Sequence, residues 1–132
     1  MMATRVLLVD DEPELLQALC VRLRAAGFVC ETARNGQEGL AKTQAWQPAL
    51  IVTDLIMPQM DGYEMCRQLK ADAQTARIPV VILTAVAERS LMHRAEELGA
   101  ARLIRKPFDS KELLATIQDV LTVPPHGGLA DG

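Results

Sequence analysis

The chain has 132 residues, 49% of them apolar, and only four aromatic side chains: Phe28, Trp46, Tyr63 and Phe108. That length suits one domain with a real core and leaves no room for a second, and the apolar share excludes global disorder. Fourteen basic against seventeen acidic residues give a net charge of −3, which excludes a global drive towards nucleic acid or anionic membrane, and four scattered rings make no base-stacking row.

The first residues carry one Arg and then acids around a short apolar run, so they do not read as a signal peptide. No apolar stretch approaches the ~20 residues of a membrane span. The expectation is a soluble cytoplasmic protein with no membrane partner. Val6-Leu7-Leu8-Val9 is a continuous apolar run ending at acids, which suits a strand buried on both faces. Pro13 and its flanking acids open a helix, with Leu15, Leu16, Leu19, Cys20 and Leu23 at helical spacing and Gly27 as its stop. A second strand is predicted over 28–33. Asn35 with Glu38 has the form of a capping box for a second helix over 36–46, which Pro48 breaks.

A third strand runs over 49–53 and ends at Asp54. Residues 55–62 hold Pro58 and Gly62 and read as a loop, followed by a helix over 63–70 and a polar connection over 71–79. Val80-Val81-Ile82-Leu83-Thr84 is a fourth buried strand. A fourth helix is predicted over 88–98, closed by Gly99, with Leu91, Ala95 and Leu98 turned to the core. A fifth strand covers 102–106. Ser110 is placed to cap a last helix, with Leu113, Leu114, Ile117 and Leu121 along one face. Residues 1–122 thus form one domain, and 123–132, with Pro124-Pro125 and Gly127-Gly128, read as a flexible tail or cut linker. Cys20, Cys30 and Cys66 are odd in number and lack CxxC spacing, so all three are expected as buried free thiols.

Strand and helix alternate five times, and the strands are apolar throughout. That pattern predicts a parallel sheet covered on both faces, with right-handed crossovers and a doubly wound α/β sandwich. The functional crevice of such a sheet lies at the carboxyl ends of its strands. There the chain carries Asp10-Asp11, Asp54, Thr84 and Lys106. Two carboxylates about 4 Å apart repel by about 4 kcal/mol at an effective dielectric of about 20. A hard divalent cation relieves this, and Mg²⁺ takes one or two carboxylates while keeping room for a phosphoryl oxygen. A carboxylate can attack phosphorus to give an aspartyl phosphate. A Lys and a Thr hydroxyl can serve the remaining phosphoryl oxygens.

Val9-Asp10-Asp11-Glu12, then Asp54-Leu55-Ile56-Met57-Pro58 with Asp61-Gly62, then Leu83-Thr84-Ala85, then Lys106-Pro107-Phe108 resemble the receiver domain of bacterial two-component response regulators. The resemblance runs over residues 5–121, with four motifs in the family's order and spacing. It implies a flavodoxin-like (βα)5 sandwich whose five-stranded parallel sheet has the order 2-1-3-4-5. It implies phosphoryl transfer to Asp54 from a phosphohistidine on a histidine kinase or a histidine phosphotransfer protein. Thr84 and Lys106 would assist, in a switch rather than a conventional enzyme. The implied metal site takes Mg²⁺, or Mn²⁺ in its place, with Asp11 and Asp54 as direct ligands, Asp10 acting mostly through water, and the Ile56 backbone carbonyl. The Lys106–Pro107 bond is implied to be cis. Thr84 and Leu103 would belong to the switch, and the face of the fourth helix, fifth strand and fifth helix would signal to an unidentified downstream protein. No direct nucleic-acid contact is expected, and the chain is expected as a monomer or weak dimer.

Departures from the family pattern set further expectations. Leu103 stands where the family usually has Tyr or Phe, so coupling of Asp54 to the output face should be weak or altered. In the family the positions of Ile56 and Val86 flank the path of the hydrolytic water; both are apolar in this sequence, so the resemblance implies a long-lived phosphoryl group. Ile56 also speaks against a phosphatase or mutase, which needs a second acid two residues after its nucleophile. Other readings are a binding module that signals without phosphorylation, and a receiver fragment of a larger regulator or hybrid kinase. His93 and His126 join no metal-like cluster, and no P-loop or GxGxxG occurs. Met92, Arg94, Arg102 and Arg105 are expected on the output face or simply in solvent.

Overall fold

The computed structural model describes residues 3–55, 57, 60–85, 93 and 96–122. Among these, the elements run β1 (Arg5–Val9), α1 (Pro13–Ala25), β2 (Val29–Ala33), α2 (Gly36–Trp46), β3 (Leu50–Asp54), α3 (Gly62–Ala71), β4 (Val80–Thr84), β5 (Arg102–Arg105) and a last helix, Ser110–Thr122. The strands are all parallel and lie in the order β2-β1-β3-β4-β5. This is the flavodoxin-like α/β arrangement that the strand pattern and the motifs imply.

The sheet divides two apolar layers. Val6 and Leu8 of β1 join Leu16, Leu19 and Leu23 of α1 and Leu113 and Ile117 of the last helix. Leu7 and Val9 point the other way and join Met65 and Leu69 of α3 with Ile51 and Ile82. Every residue of β3 and β4 is buried, which is why those strands are apolar along their length rather than alternating. Each such Leu, Ile or Val contributes roughly 1.5–3 kcal/mol by leaving water, so an aliphatic core holds the sheet with little help from rings.

Helix starts follow local chemistry. Asn35 Oδ1 accepts the Glu38 backbone N–H at 2.8 Å, and Asp61 Oδ1 accepts that of Glu64 at 2.8 Å. Pro13 occupies the first turn of α1, where a missing N–H does no harm. The last helix differs from expectation. Asp109, not Ser110, supplies its cap: Asp109 Oδ1 accepts the Lys111 N–H at 2.9 Å, and the Asp109 carbonyl accepts the Glu112 N–H at 2.9 Å. A carboxylate at that position also gains from the helix dipole, which a hydroxyl does less. Ser110 is instead the first helical residue.

The expected fourth helix falls mostly outside the described residues, with His93, Glu96 and Glu97 helical and Gly99 at φ +77° beyond its end. Leu91, Met92, Arg94, Ala95 and the tail 123–132, with His126, also lie outside them. His93 is exposed and faces Glu97 at 3.3 Å. Arg102 pairs with Asp119 of the last helix. The cysteine expectation is corrected: Cys20 of α1 and Cys30 of β2 form a disulfide, their Cα atoms 5.8 Å apart, and Cys66 alone is free. The two sulfurs meet because α1 packs back over β2 through the turn at Gly27 (φ +99°), a conformation suited to glycine.

Candidate functional site

The carboxyl ends of β1, β3, β4 and β5 form one rim. Asp10 follows β1 and is buried; its Oδ1 accepts the Glu12 backbone N–H at 3.0 Å. Asp11 is exposed beside it. Asp54 ends β3 and is buried. Carboxylate oxygens of Asp10, Asp11 and Asp54 lie within 4.8 Å of one another. Three like charges at that spacing form a clustered acid triad able to coordinate a divalent cation, because mutual repulsion makes a hard cation favourable there.

Lys106 comes just after β5 and turns into this cluster. Its Nζ lies 2.8 Å from Asp10 Oδ2 and 3.0 Å from Asp54 Oδ2. Burial by itself would lower the pKa of the ammonium. The hydrogen bonds and charges of Asp10 and Asp54 outweigh that and hold it above the usual lysine value. Lys106 is therefore charged at any physiological pH. One ammonium does not neutralise Asp10, Asp11 and Asp54 together, so the rim keeps an excess of negative charge and the residues present fit a divalent cation.

The loop after β3 is pinned at two points. The Gly62 N–H donates to the Leu55 carbonyl at 2.8 Å, and the Gly36 N–H donates to the Met60 carbonyl at 2.7 Å. Both glycines touch backbone so closely that a Cβ would overlap it: the Asp54 oxygen at Gly62, the Met60 oxygen at Gly36. Thr84 ends β4 and is buried, and its carbonyl accepts the Lys106 backbone N–H at 2.9 Å. In register, Asp54 pairs with Leu83 and Thr84 with Arg105, so Thr84 ends the strand that lies between those leading to the acid and to the Lys. The Lys106–Pro107 bond is cis.

The structure thus brings together Asp10, Asp11, Asp54, Thr84 and Lys106. Ile56 and Val86 lie outside the described residues. Leu103 sits on β5 away from the rim, partly buried against the layer that holds Ile82 and Leu98. Sequence reasoning counts Glu12 only among the acids that open α1 and gives it no part in the site, yet its Oε1 lies 3.2 Å from Lys106 Nζ. The only signal in the sequence was its place directly after the acid pair. Beside it opens a groove of about 400 Å³, lined by Glu12, Leu15, Leu19, Arg22, Lys106 and Phe108.

Fold and rim together define a receiver of phosphoryl groups built on a doubly wound sheet. The family model described as "Response regulator receiver domain" matches residues 6–118, and the chain belongs to that family. Receiver domains act as phosphorylation and dephosphorylation switches rather than as conventional enzymes, and a phosphoacceptor function follows for this chain. It is 42% identical over 118 residues to the Dictyostelium discoideum "Hybrid signal transduction histidine kinase D", covering 89% of this chain and 8% of that protein. It is 36% identical over 117 residues to the "DNA-binding dual master transcriptional regulator RpaA" of Synechocystis, covering 89% of this chain and 48% of that one. The chain therefore spans a small part of the first relative and about half of the second. Among solved structures, the signal receiver domain of a Syntrophus aciditrophicus signal transduction histidine kinase superposes with a TM-score of 0.84 at 34% identity, covering 91% of each chain. The Vibrio cholerae chemotaxis protein CheY4 gives 0.85 at 33% identity, over 90% of this chain and 99% of that one. Among the described residues no helix is long and apolar enough to cross a membrane.

Proposed function

We propose that Asp54 accepts a phosphoryl group from a phosphohistidine on a histidine kinase or histidine phosphotransfer protein. An Asp54 oxygen forms the new bond to phosphorus as the N–P bond breaks, and the imidazole leaves with the nitrogen electron pair. The observation that carries this reading is Lys106 Nζ at 3.0 Å from Asp54 inside the Asp10–Asp11–Asp54 cluster. The Lys106 ammonium offsets charge on the phosphoryl oxygens, and the Thr84 hydroxyl is on the adjacent strand to donate to another. Asp10, Asp11 and Asp54, with the Ile56 backbone carbonyl, are the proposed holders of Mg²⁺ or Mn²⁺. That ion would supply positive charge to the transferring oxygens.

Residues 1–122 are the proposed switch unit, with 123–132 as a tail, working as a monomer or weak dimer. Phosphorylation would alter the face around β5 and the last helix to signal to a protein partner, without direct nucleic-acid contact. With Ile56 and Val86 apolar, the phosphorylated state is proposed to be long-lived. A cytoplasmic location goes with the proposed kinase partner, whereas the Cys20–Cys30 disulfide is the observation against a fully reducing compartment.

Incubation with acetyl phosphate and Mg²⁺, followed by intact mass, tests the reading. One added phosphoryl group, absent in Asp54→Asn, is expected, and its decay gives the lifetime. No gain under any Mg²⁺ condition would favour a binding module that signals without phosphorylation. Decay within seconds would overturn the long-lived state.

A further inference from the structure

We infer that Glu12 is a positioning residue for phosphoryl transfer, whose carboxylate holds the Lys106 hydrogen-bonding direction that an incoming phosphoryl oxygen takes over. This rests on the reading of Asp54 as acceptor. An ammonium has three N–H donors and no acceptor. Lys106 Nζ meets three carboxylate oxygens: Asp10 Oδ2 at 2.8 Å, Asp54 Oδ2 at 3.0 Å and Glu12 Oε1 at 3.2 Å. Three acceptors use all three donors. A phosphoryl oxygen can therefore bond Lys106 only if one carboxylate yields.

The three differ in what release costs. The Asp10 side chain is 3% exposed and Asp54 12%. Before transfer, taking the ammonium from either strips a buried carboxylate of a hydrogen bond and of part of its counter-charge, which costs more than releasing an exposed one. The Glu12 side chain is 62% exposed, and its contact is the longest of the three. Water takes over a released carboxylate there at little cost. Glu12 is also held ready for the task. Its backbone N–H is fixed by Asp10 Oδ1 at 3.0 Å, and its side chain does not cap α1. Glu12 thus steadies the ammonium before transfer and competes with the phosphoryl group after it.

The test compares the full chain with Glu12→Gln, Glu12→Ala and Glu12→Asp. The probe is beryllofluoride with saturating Mg²⁺, followed by calorimetry, with Mg²⁺ affinity and thermal midpoint measured separately. An exposed ion pair of about 0.2–1 kcal/mol corresponds to roughly 1.5- to 5-fold in affinity, so Glu12→Gln and Glu12→Ala should bind beryllofluoride tighter by that factor with unchanged midpoints. Glu12→Asp keeps the charge but loses one methylene of reach, so it should behave like Glu12→Gln. If Glu12→Asp matches the wild type, charge acts at a distance and the contact role is overturned. Unchanged or weaker binding in Glu12→Gln and Glu12→Ala overturns it as well. Failure of the wild type to bind beryllofluoride at all would instead remove the Asp54 reading, and this inference with it.

Discussion

Cys66 illustrates how burial decides chemistry at a single residue. It lies on the inner side of α3, and burial pushes its thiol up to about 12 from a usual value of 9.0. The thiolate is the reactive form, so this cysteine should be inert in the folded chain. Because the folded value is raised, whatever the buried thiol contributes is fully present below pH 9.0 and is lost as pH rises towards about 12. Treatment with iodoacetamide at pH 8.5, followed by peptide mapping, should leave Cys66 unmodified in the native protein and alkylate it fully in urea. Rapid native alkylation would contradict the packing around Met65 and Leu69 described above.

Between elements, two tight connections shape the site. Gly62 opens α3 at the place where the chain returns past Asp54, and an added Cβ would overlap the Asp54 backbone oxygen. Backbone cannot rotate aside as a side chain does, so Gly62→Ala should cost about 2–3 kcal/mol in urea unfolding, the upper range for overpacking. It should also slow phosphorylation by acetyl phosphate, since any relief moves Asp54; full stability with full activity would show that the loop has slack. The Cys20–Cys30 link joins α1 to β2 across a sequence separation of 10. Closing a loop of that size removes chain entropy worth roughly 2.5–3 kcal/mol in the chain-entropy account. Dithiothreitol should lower unfolding stability by about that much, and an identical urea midpoint with and without reductant would mean the pair contributes no cross-link. These features separate what the sequence makes legible from what it hides. Asn35 and Glu38 announce their cap because both partners lie within one turn. Asp109 supersedes Ser110 at the last helix because either side chain could serve there, and the carboxylate has the dipole on its side. The disulfide is hidden because its halves belong to a helix and a strand with no local spacing in common. Asp10, Asp54 and Lys106 could be placed together because strand ends of a parallel sheet share one rim, whereas Glu12 depends on where one flexible side chain points.

At the scale of the whole molecule, the question is how far a change at Asp54 travels. The path available runs across the sheet: Asp54 pairs with Leu83 of β4, Thr84 accepts the backbone N–H of Lys106, and Ile82 stands in register with Leu103 of β5. Leu103 is already packed against the layer of Ile82, Leu98 and Ala100. It has no hydroxyl to hold it in water, so its packed position against that layer is favoured whatever the state of Asp54. A ligand shifts a conformational equilibrium only by its differential affinity for the two states, and a side chain without two distinct positions carries little of that difference. β5 is further tied to the last helix by Arg102 and Asp119. Beryllofluoride with Mg²⁺ should therefore move amide signals of Asp10, Asp54, Thr84 and Lys106 strongly while the Leu103 methyl signals barely shift. Leu103→Tyr should extend the shifts to the last helix, because it introduces a ring and hydroxyl with different preferences for the two sides. A large methyl shift or an inward rotamer change of Leu103 itself would establish that the aliphatic side chain switches after all, and the signal would then reach the last helix without a ring.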